Sequence, residues 1–175
     1  MGEVNNIKIV MLGDIRVGKT SICEKYVNAK FDERYIATVG VKVYKKEISE
    51  KQTRLFIWDI ANDSIMNIIP IEYLQGMQAA LIVADIAHQS SIRNISQHIN
   101  TALHVNSDVK AAIILNKTDL QPAASDKSLI TVKEIMQFYS SNLISEPFLV
   151  SAKCDDDFTD IFMKISESVS AEESL

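Results

Sequence analysis

The chain has 175 residues, and since a typical domain uses ~150, we expect one domain over residues 1–175. Its 47% hydrophobic and 23% charged residues are typical of a globular protein and exclude the disordered and fibrous classes. The net charge of −5 argues against nucleic acid as a direct partner, and no apolar run approaches the ~20 residues that span a bilayer.

Short apolar runs alternate with amphipathic stretches along the chain, which is the pattern of an α/β fold. The apolar runs predict buried strands at 7–12, 54–60, 79–84, 111–115 and 148–150. Apolar residues three and four apart predict helices over 88–105, 131–143 and 158–169, and 121–128 is predicted as a loop. Such alternation implies a mostly parallel sheet. The segments 41–48 and 53–59 are joined too closely for a crossover, so they must form an antiparallel hairpin.

The cysteines and histidines give no sign of a metal site. Cys23 and Cys154 are far apart, and the sequence shows no signal-peptide pattern, so we expect reduced thiols in a cytoplasmic protein. His88, His98 and His104 fall in one polar helical pattern without the spacing of metal-ligand pairs. We expect these three side chains to be solvated.

Directly after the first predicted strand lies a candidate phosphate-binding loop. Residues 13–20 read Gly-Asp-Ile-Arg-Val-Gly-Lys-Thr, which satisfies G-x-x-x-x-G-K-[ST] between a strand and a helix. Glycines let backbone N–H groups converge on a phosphate, and the helix N-terminus adds a favourable dipole. Lys19 would neutralise the β and γ phosphates, and Thr20 would offer its hydroxyl to Mg²⁺. An ordinary loop before a helix is the alternative. The other residues assigned to this nucleotide site are Gly13, Asp14, Arg16, Val17, Gly18 and Ser21.

A second motif, Asn-Lys-Thr-Asp at 116–119, follows a predicted strand and so lies at the carboxyl edge of the sheet, where open α/β folds bind ligands. The Asp119 carboxylate can accept hydrogen bonds from the N1–H and 2-amino groups of guanine, whereas adenine offers no amine there. A site that makes this pair of hydrogen bonds can prefer guanine to adenine by a factor of about 10⁴ or more, because the wrong base leaves a buried polar group unpaired. A simple turn after a strand is the alternative. The residues assigned to the base are Asn116, Lys117 and Asp119, with Ser151, Ala152 and Lys153 offering a backbone N–H and Phe31 covering the base edge.

Together these motifs resemble those of the Ras superfamily of small GTPases, and within it most closely the Rab branch. Residues 35–41 (Tyr-Ile-Ala-Thr-Val-Gly-Val) resemble a Rab switch I, Trp58-Asp59 opens a switch II, and 73–76 and 83–86 resemble the stretches that follow. The resemblance covers the whole chain. It implies a P-loop NTPase G domain with a six-stranded, mostly parallel sheet, one antiparallel strand and about five helices on both faces. It also implies binding of GTP and GDP with Mg²⁺.

The resemblance further implies a metal site and a partner surface. Mg²⁺ would be held by Thr20, by Thr38 in the GTP state and, through water, by Asp59. Three positions that help Rab-like proteins to choose effectors are aromatic in that branch, and here they read Val43, Trp58 and Tyr73. Effector and regulatory proteins are therefore expected at switch I, the interswitch hairpin and switch II. For Trp58 alone, a buried core position is the alternative.

The sequence departs from the family in switch II. Where the family has Asp-Thr-Ala-Gly-Gln, residues 59–63 read Asp-Ile-Ala-Asn-Asp. Asn62 replaces a glycine that contacts the γ-phosphate, and Asp63 replaces the glutamine that orients the attacking water. Lys19 and this atypical Asp63 are the candidate catalytic residues, and we expect slow hydrolysis. The alternative is that Asp63 points to solvent without a role.

Two function classes remain open on these residues. The first is a guanine-nucleotide switch in vesicle trafficking or signalling, located in the cytoplasm or at the cytosolic face of membranes. The second is a pseudo-GTPase binding module that keeps nucleotide as a structural ligand, which Asn62 and Asp63 favour. A P-loop kinase or ATPase would leave the motif at 116–119 unexplained. The sequence ends in Ala-Glu-Glu-Ser-Leu without a cysteine that could be prenylated, so membrane attachment would need a further C-terminal tail.

Overall fold

The computed structural model describes residues 4–32, 38–61, 69–120, 126–144, 146–155 and 157–172. Its strands are β1 (Asn5–Leu12), β2 (Val41–Ile48), β3 (Thr53–Ile60), β4 (Ala79–Asp85), β5 (Lys110–Asn116) and β6 (Phe148–Leu149). Its α-helices are α1 (Lys19–Asn28), α2 (Ile71–Leu74), α3 (Gln89–Arg93), α4 (Ile95–Val105), α5 (Asp126–Phe138) and α6 (Thr159–Glu172).

The six strands form one sheet in the order β2-β3-β1-β4-β5-β6. Every pairing is parallel except β2 with β3, which is antiparallel. The short 3₁₀ turn Ser49–Lys51 connects these two strands, and Gln52 follows it with φ 49°. The predicted fold class and hairpin are therefore confirmed.

Side chains alternate along β1, so each face of the sheet has its own core. Ile9 and Met11 point to one face, and Val10 and Leu12 point to the other. The first face is covered by buried residues of α1 and α6, among them Ile22, Cys23, Ile161, Phe162 and Ile165. The second face is covered by α2 to α5, among them Leu74, Ile92, Ile95, Ile99 and Val132. Helices on both faces hold the carboxyl edge of the parallel strands in a fixed frame.

The helix predicted over 88–105 is interrupted at Asn94. The Asn94 N–H donates to the Ser90 carbonyl, and its own carbonyl accepts from the His98 N–H, each at 3.1 Å. Helical bonding thus continues from α3 into α4. Taken as one interrupted helix, these two give five helices over the described residues, as predicted.

Helix α5 differs from its prediction at both ends. It covers Asp126–Phe138 rather than 131–143, so 126–128, predicted as loop, is helical. The apolar pattern began too late because residues 126–128, Asp-Lys-Ser, are polar in sequence. At the other end, Ala111 of β5 donates to the Asn142 carbonyl at 2.9 Å and accepts from the Ile144 N–H at 3.0 Å. These bonds pair 142–144 with β5 in place of a further helical turn.

The expectation of three solvated histidines is wrong for His98. His88 and His104 are exposed, but His98 is only 8% exposed and contacts Asp14 of the loop after β1. The two residues are 84 positions apart, so no local pattern could indicate this contact. Among the described helices, none has the length and apolarity that a membrane span requires.

Glu24 links α1 to β2. Its carboxylate accepts from Lys42 Nζ, from the Tyr44 hydroxyl at 2.8 Å and from Asn28 Nδ2 at 2.6 Å. The hydrogen bond from Lys42 is the main reason that the pKa of Glu24 is lowered to about 2. Because the folded-state pKa lies below the ordinary value, this carboxylate stabilises the fold above that value and loses its contribution as the pH falls towards 2.

We expect Glu24→Gln to lower the free energy of unfolding by about 1 kcal/mol at pH 7, since the charge-assisted bonds are lost. The difference from wild type should shrink between pH 4.5 and pH 2, which urea titrations at several pH values will measure. Glu47→Gln is the matched control, because Glu47 makes only exposed ion pairs with Lys45 and Arg54. A Glu24→Gln deficit that is independent of pH would contradict this account.

Candidate functional site

The loop 13–18 joins β1 to α1 and requires glycine at two points. Gly13 has φ +144°, and a Cβ there would lie 2.2 Å from the Val83 carbonyl oxygen. Gly18 has φ +102°, and a Cβ there would lie 2.2 Å from Asn116 Nδ2. Arg16 also has a positive φ of 65° although it is not glycine. The loop therefore folds tightly against the ends of β4 and β5.

Lys19, the first residue of α1, folds back over this loop. Its Nζ donates to the carbonyl oxygens of Gly13 at 2.7 Å and Asp14 at 2.9 Å. Burial lowers the pKa of Lys19, while the nearby carboxylates of Asp59 and Asp14 oppose that shift. The carbonyl acceptors orient the ammonium without cancelling its charge, so it can neutralise an anion above the loop.

The three predicted metal-site residues come together. Thr20 Oγ1 lies 2.9 Å from Thr38 Oγ1 and donates to Asp59 Oδ2. Asp59 is fully buried, and its Oδ1 has no hydrogen-bond partner among the described residues. Burial raises the pKa of Asp59, although the Thr20 bond and Lys19 act in the opposite direction. A buried carboxylate oxygen without a partner, beside two hydroxyls, fits a hard cation such as Mg²⁺.

Asn116, the last residue of β5, connects the loop to the chain beyond β6. Its Nδ2 donates to the Val17 carbonyl at 2.8 Å, and its Oδ1 accepts from the Ala152 N–H at 3.0 Å. The side chain is almost completely buried. One amide therefore fixes the distance between the two motifs that the sequence assigned to one nucleotide.

The neighbouring residues of that motif have separate partners. Lys117 has φ +66°, and its Nζ lies 2.7 Å from Asp85 Oδ2 at the end of β4. Asp119 is exposed and accepts from the Ser151 hydroxyl at 2.6 Å. The Ser151 N–H donates to Asp155 at 2.6 Å. Asp119 and the predicted turn 151–153 thus adjoin each other at the carboxyl edge of the sheet.

The remaining predicted site residues have mixed positions. Phe31 is half-buried and packs against the core under α1 and α6. Lys153 is exposed. Asn62 and Asp63 lie outside the described residues, as do residues 35–37 of the predicted switch I motif.

The three predicted effector positions form one surface. Val43 of β2 pairs with Trp58 of β3, and the Trp58 and Tyr73 rings lie 6.4 Å apart between centroids. Lys8 Nζ lies 3.8 Å from the Trp58 ring centroid. Trp58 is half-buried: part of its side chain packs against the core, and part is accessible at the surface.

Sequence reasoning missed the side-chain partners that hold the site from outside its motifs. They are Asp85 at Lys117, Asp155 at Ser151, and His98 and Asn94 at Asp14. Each partner comes from a different turn of the chain or from a helix whose polar residues read as solvated. The pairing of β4 with β5 places Asp85 beside Lys117, and α3–α4 brings Asn94 and His98 to Asp14, whereas Asp155 lies only four residues after Ser151.

A sequence model of the Ras family matches residues 8–171. Ras-related protein SEC4 of Saccharomyces cerevisiae is 27% identical over 169 residues, which cover 93% of this chain and 74% of SEC4. Ras-related protein Rab-10 of Diplobatis ommata is 28% identical, with 93% of this chain and 80% of Rab-10 covered. Ras-related protein Rab-28 of Caenorhabditis elegans is 31% identical over 157 residues. This match covers 86% of this chain and 61% of Rab-28.

We expect Gly18→Ala to lower the free energy of unfolding by about 3 kcal/mol, because a strained φ adds to the loss of the Asn116 hydrogen bonds. Gly76→Ala is the matched control, since Gly76 also has a positive φ of +71° but has no atom within 4 Å of the added Cβ. That variant should lose only about 1 kcal/mol. Urea titration without nucleotide will compare them, and equal losses would show that the contact with Asn116 is unimportant.

Proposed function

The chain belongs to the Ras family, and we propose that it is a Rab-like switch that binds GDP and GTP with Mg²⁺ and hydrolyses GTP slowly. The observation that carries this proposal is the Asn116 side chain, which joins the phosphate loop to the segment 151–153. A loop that binds phosphates alone would not need this link. A site that reads phosphates and base together needs the two parts at a fixed separation.

In this proposal the loop 13–18 and Lys19 bind the phosphates of the nucleotide. Backbone N–H groups of the loop and the N-terminus of α1 face the anion, and Lys19 adds a positive charge. Thr20, Thr38 and Asp59 would hold Mg²⁺, which neutralises charge on the β and γ phosphates when it is bound. Asp59 Oδ1, which has no hydrogen-bond partner within the part of the chain that the structure describes, supports this assignment.

Asp119 would select guanine. Its carboxylate is oriented by the Ser151 hydroxyl and stays exposed at the sheet edge, where a base can reach it. Guanine presents two N–H donors to a carboxylate, whereas adenine presents a ring nitrogen acceptor at the corresponding position. An ATP complex would therefore leave the Asp119 charge unpaired against an acceptor.

Slow hydrolysis is proposed from the residues at 62 and 63. A carboxylate at 63 can accept a hydrogen bond from water but cannot donate one, and it adds negative charge beside a polyanion. The same two residues favour the second candidate, a binding module in which nucleotide is a permanent structural ligand. The two candidates differ in whether bound GTP is ever converted to GDP.

The surface formed by Val43, Trp58 and Tyr73 is proposed as the contact for effector and regulatory proteins. It joins β2, β3 and α2, so it would respond to movement of the segments between them. We place the protein in vesicle trafficking or signalling, in the cytoplasm or at the cytosolic face of membranes. Support for this placement comes from the Rab-named relatives.

We expect Asp119→Ala to weaken GDP binding at least 100-fold, because the base loses its charge-assisted hydrogen bonds, each worth about 1.5–3 kcal/mol. Competition titrations with GDP, GTP and ATP will measure this loss and the preference of wild type for guanine. Asp108→Ala is the matched control, since Asp108 is an exposed carboxylate in the turn before β5, at the opposite edge of the sheet. Equal affinity of the wild-type protein for ATP and GTP would contradict the assignment of Asp119 to guanine recognition.

We expect the double variant Asn62→Gly and Asp63→Gln to hydrolyse bound GTP roughly 30 to 150 times faster than wild type, which corresponds to about 2–3 kcal/mol of transition-state stabilisation. The glycine and glutamine restore the family pair that contacts the γ-phosphate and orients water. A single-turnover assay with GTP-loaded protein measures the rate, and Asp108→Gln controls for the change in charge. If the wild-type protein hydrolyses GTP as fast as the double variant, Asp63 is not inhibitory. If neither protein hydrolyses GTP, the result favours the binding module.

A further inference from the structure

The carboxylate of Asp14 is held by the helical segment α3–α4. Asp14 Oδ1 lies 2.8 Å from His98 Nε2, and Asp14 Oδ2 accepts from Asn94 Nδ2 at 2.9 Å. Asn94 and His98 are one helical turn apart, so they present both groups on one face. The side chain of His98 is 10% exposed and that of Asp14 is 23% exposed. Both carboxylate oxygens are thus occupied in a nearly closed contact.

The backbone of Asp14 contributes to the other side of the same loop. Its carbonyl oxygen is one of the two acceptors of Lys19 Nζ. Asp14 therefore receives a contact from α4 on its side chain and orients the phosphate-loop lysine with its main chain. The contact with α4 and the contact with Lys19 thus meet in one residue, the first at its side chain and the second at its main chain.

The loop depends on such support, since its backbone is strained. Arg16 holds a left-handed conformation, which is unfavourable for any residue that carries a side chain. Strained backbone persists only where its surroundings fix it. Asn116 supplies such contacts at Val17, and Asp14 receives them from α4.

Helix α4 is a rigid support, and His98 is a suitable donor. Ile95, Ile99 and Ala102 are buried against the sheet. Burial lowers the pKa of His98, with Asp14 opposing and Lys19 reinforcing that shift. Because a carboxylate oxygen can only accept, His98 donates its Nε2 proton to Asp14.

We propose that His98 and Asn94 are positioning residues for the phosphate loop, acting through Asp14 to hold Lys19 in the orientation that binds the nucleotide phosphates. This inference rests on the proposed guanine-nucleotide binding. It assigns a role in that binding to α4, a helix outside all of the sequence motifs of the site.

The test measures dissociation of a fluorescent GDP analogue from the full chain with Mg²⁺. We expect His98→Ala to raise the dissociation rate constant about tenfold and Asn94→Ala severalfold, as expected for loss of a hydrogen bond to a charged group. His98→Gln should stay within about threefold of wild type, because the amide nitrogen can take the place of Nε2. His104→Ala, an exposed histidine on the same helix, should match wild type.

A double-mutant cycle of His98→Ala with Asp14→Ala distinguishes a positioning role of His98 from a general loss of stability. If His98 acts through Asp14, then His98→Ala adds nothing in the Asp14→Ala background. If His98→Ala fails to fold, Asn94→Ala replaces it in the same cycle.

Three outcomes would each overturn the inference: multiplicative effects of the two changes, an unchanged rate constant for His98→Ala, or a His98→Gln variant as defective as His98→Ala. If Asp119→Ala loses GDP while these variants do not, only the inference fails. Wild type that does not retain GDP would overturn the proposed function and the inference with it.

Discussion

The architecture of the site depends on one buried amide, the side chain of Asn116. It donates to the Val17 carbonyl and accepts from the Ala152 N–H, so it uses both of its polar groups on backbone from distant parts of the chain. Removing it would leave a backbone acceptor and a backbone donor buried without partners, which is the costly side of hydrogen bonding in a protein interior. The close approach also explains Gly18, because a side chain there would occupy the place of the amide.

The charges of the site have to be considered together with the anion that it is proposed to bind. Over the whole chain the net charge is −5, yet the loop offers Lys19, a helix N-terminus and backbone N–H groups. Asp59 lies close to that lysine and is buried, which raises its pKa. A phosphate brought beside an ionised Asp59 would be repelled unless a cation lay between them. In the proposed site, the carboxylate that opposes a bare nucleotide would therefore favour a nucleotide with Mg²⁺.

Local patterns predicted a large part of this structure. The strands follow from apolar runs, and the loop 13–18 follows from a motif whose residues are contiguous. Contacts between distant segments could not be predicted in this way. The His98 imidazole read as solvated because its partner, Asp14, lies on another element, and α5 was misplaced because its first turn is polar while its end is set by pairing with Ala111. The resemblance to a known family located Thr38 and Asp59, which no spacing rule would join to Thr20.

The contacts around the phosphate loop are of two kinds, and their difference bears on how a switch could work. On the side of β4 and β5, the loop is fixed by buried contacts of Gly13 with Val83 and of Gly18 with Asn116. On the side of β2 and β3, Thr20 meets Thr38 and Asp59 through side-chain oxygens that a metal ion would also use. Exchanging those hydrogen bonds for metal coordination changes few packing contacts, whereas moving the loop itself would break the core. A nucleotide-dependent change should therefore travel from Thr38 and Asp59 into β2 and β3, towards Val43 and Trp58, while the loop stays in place.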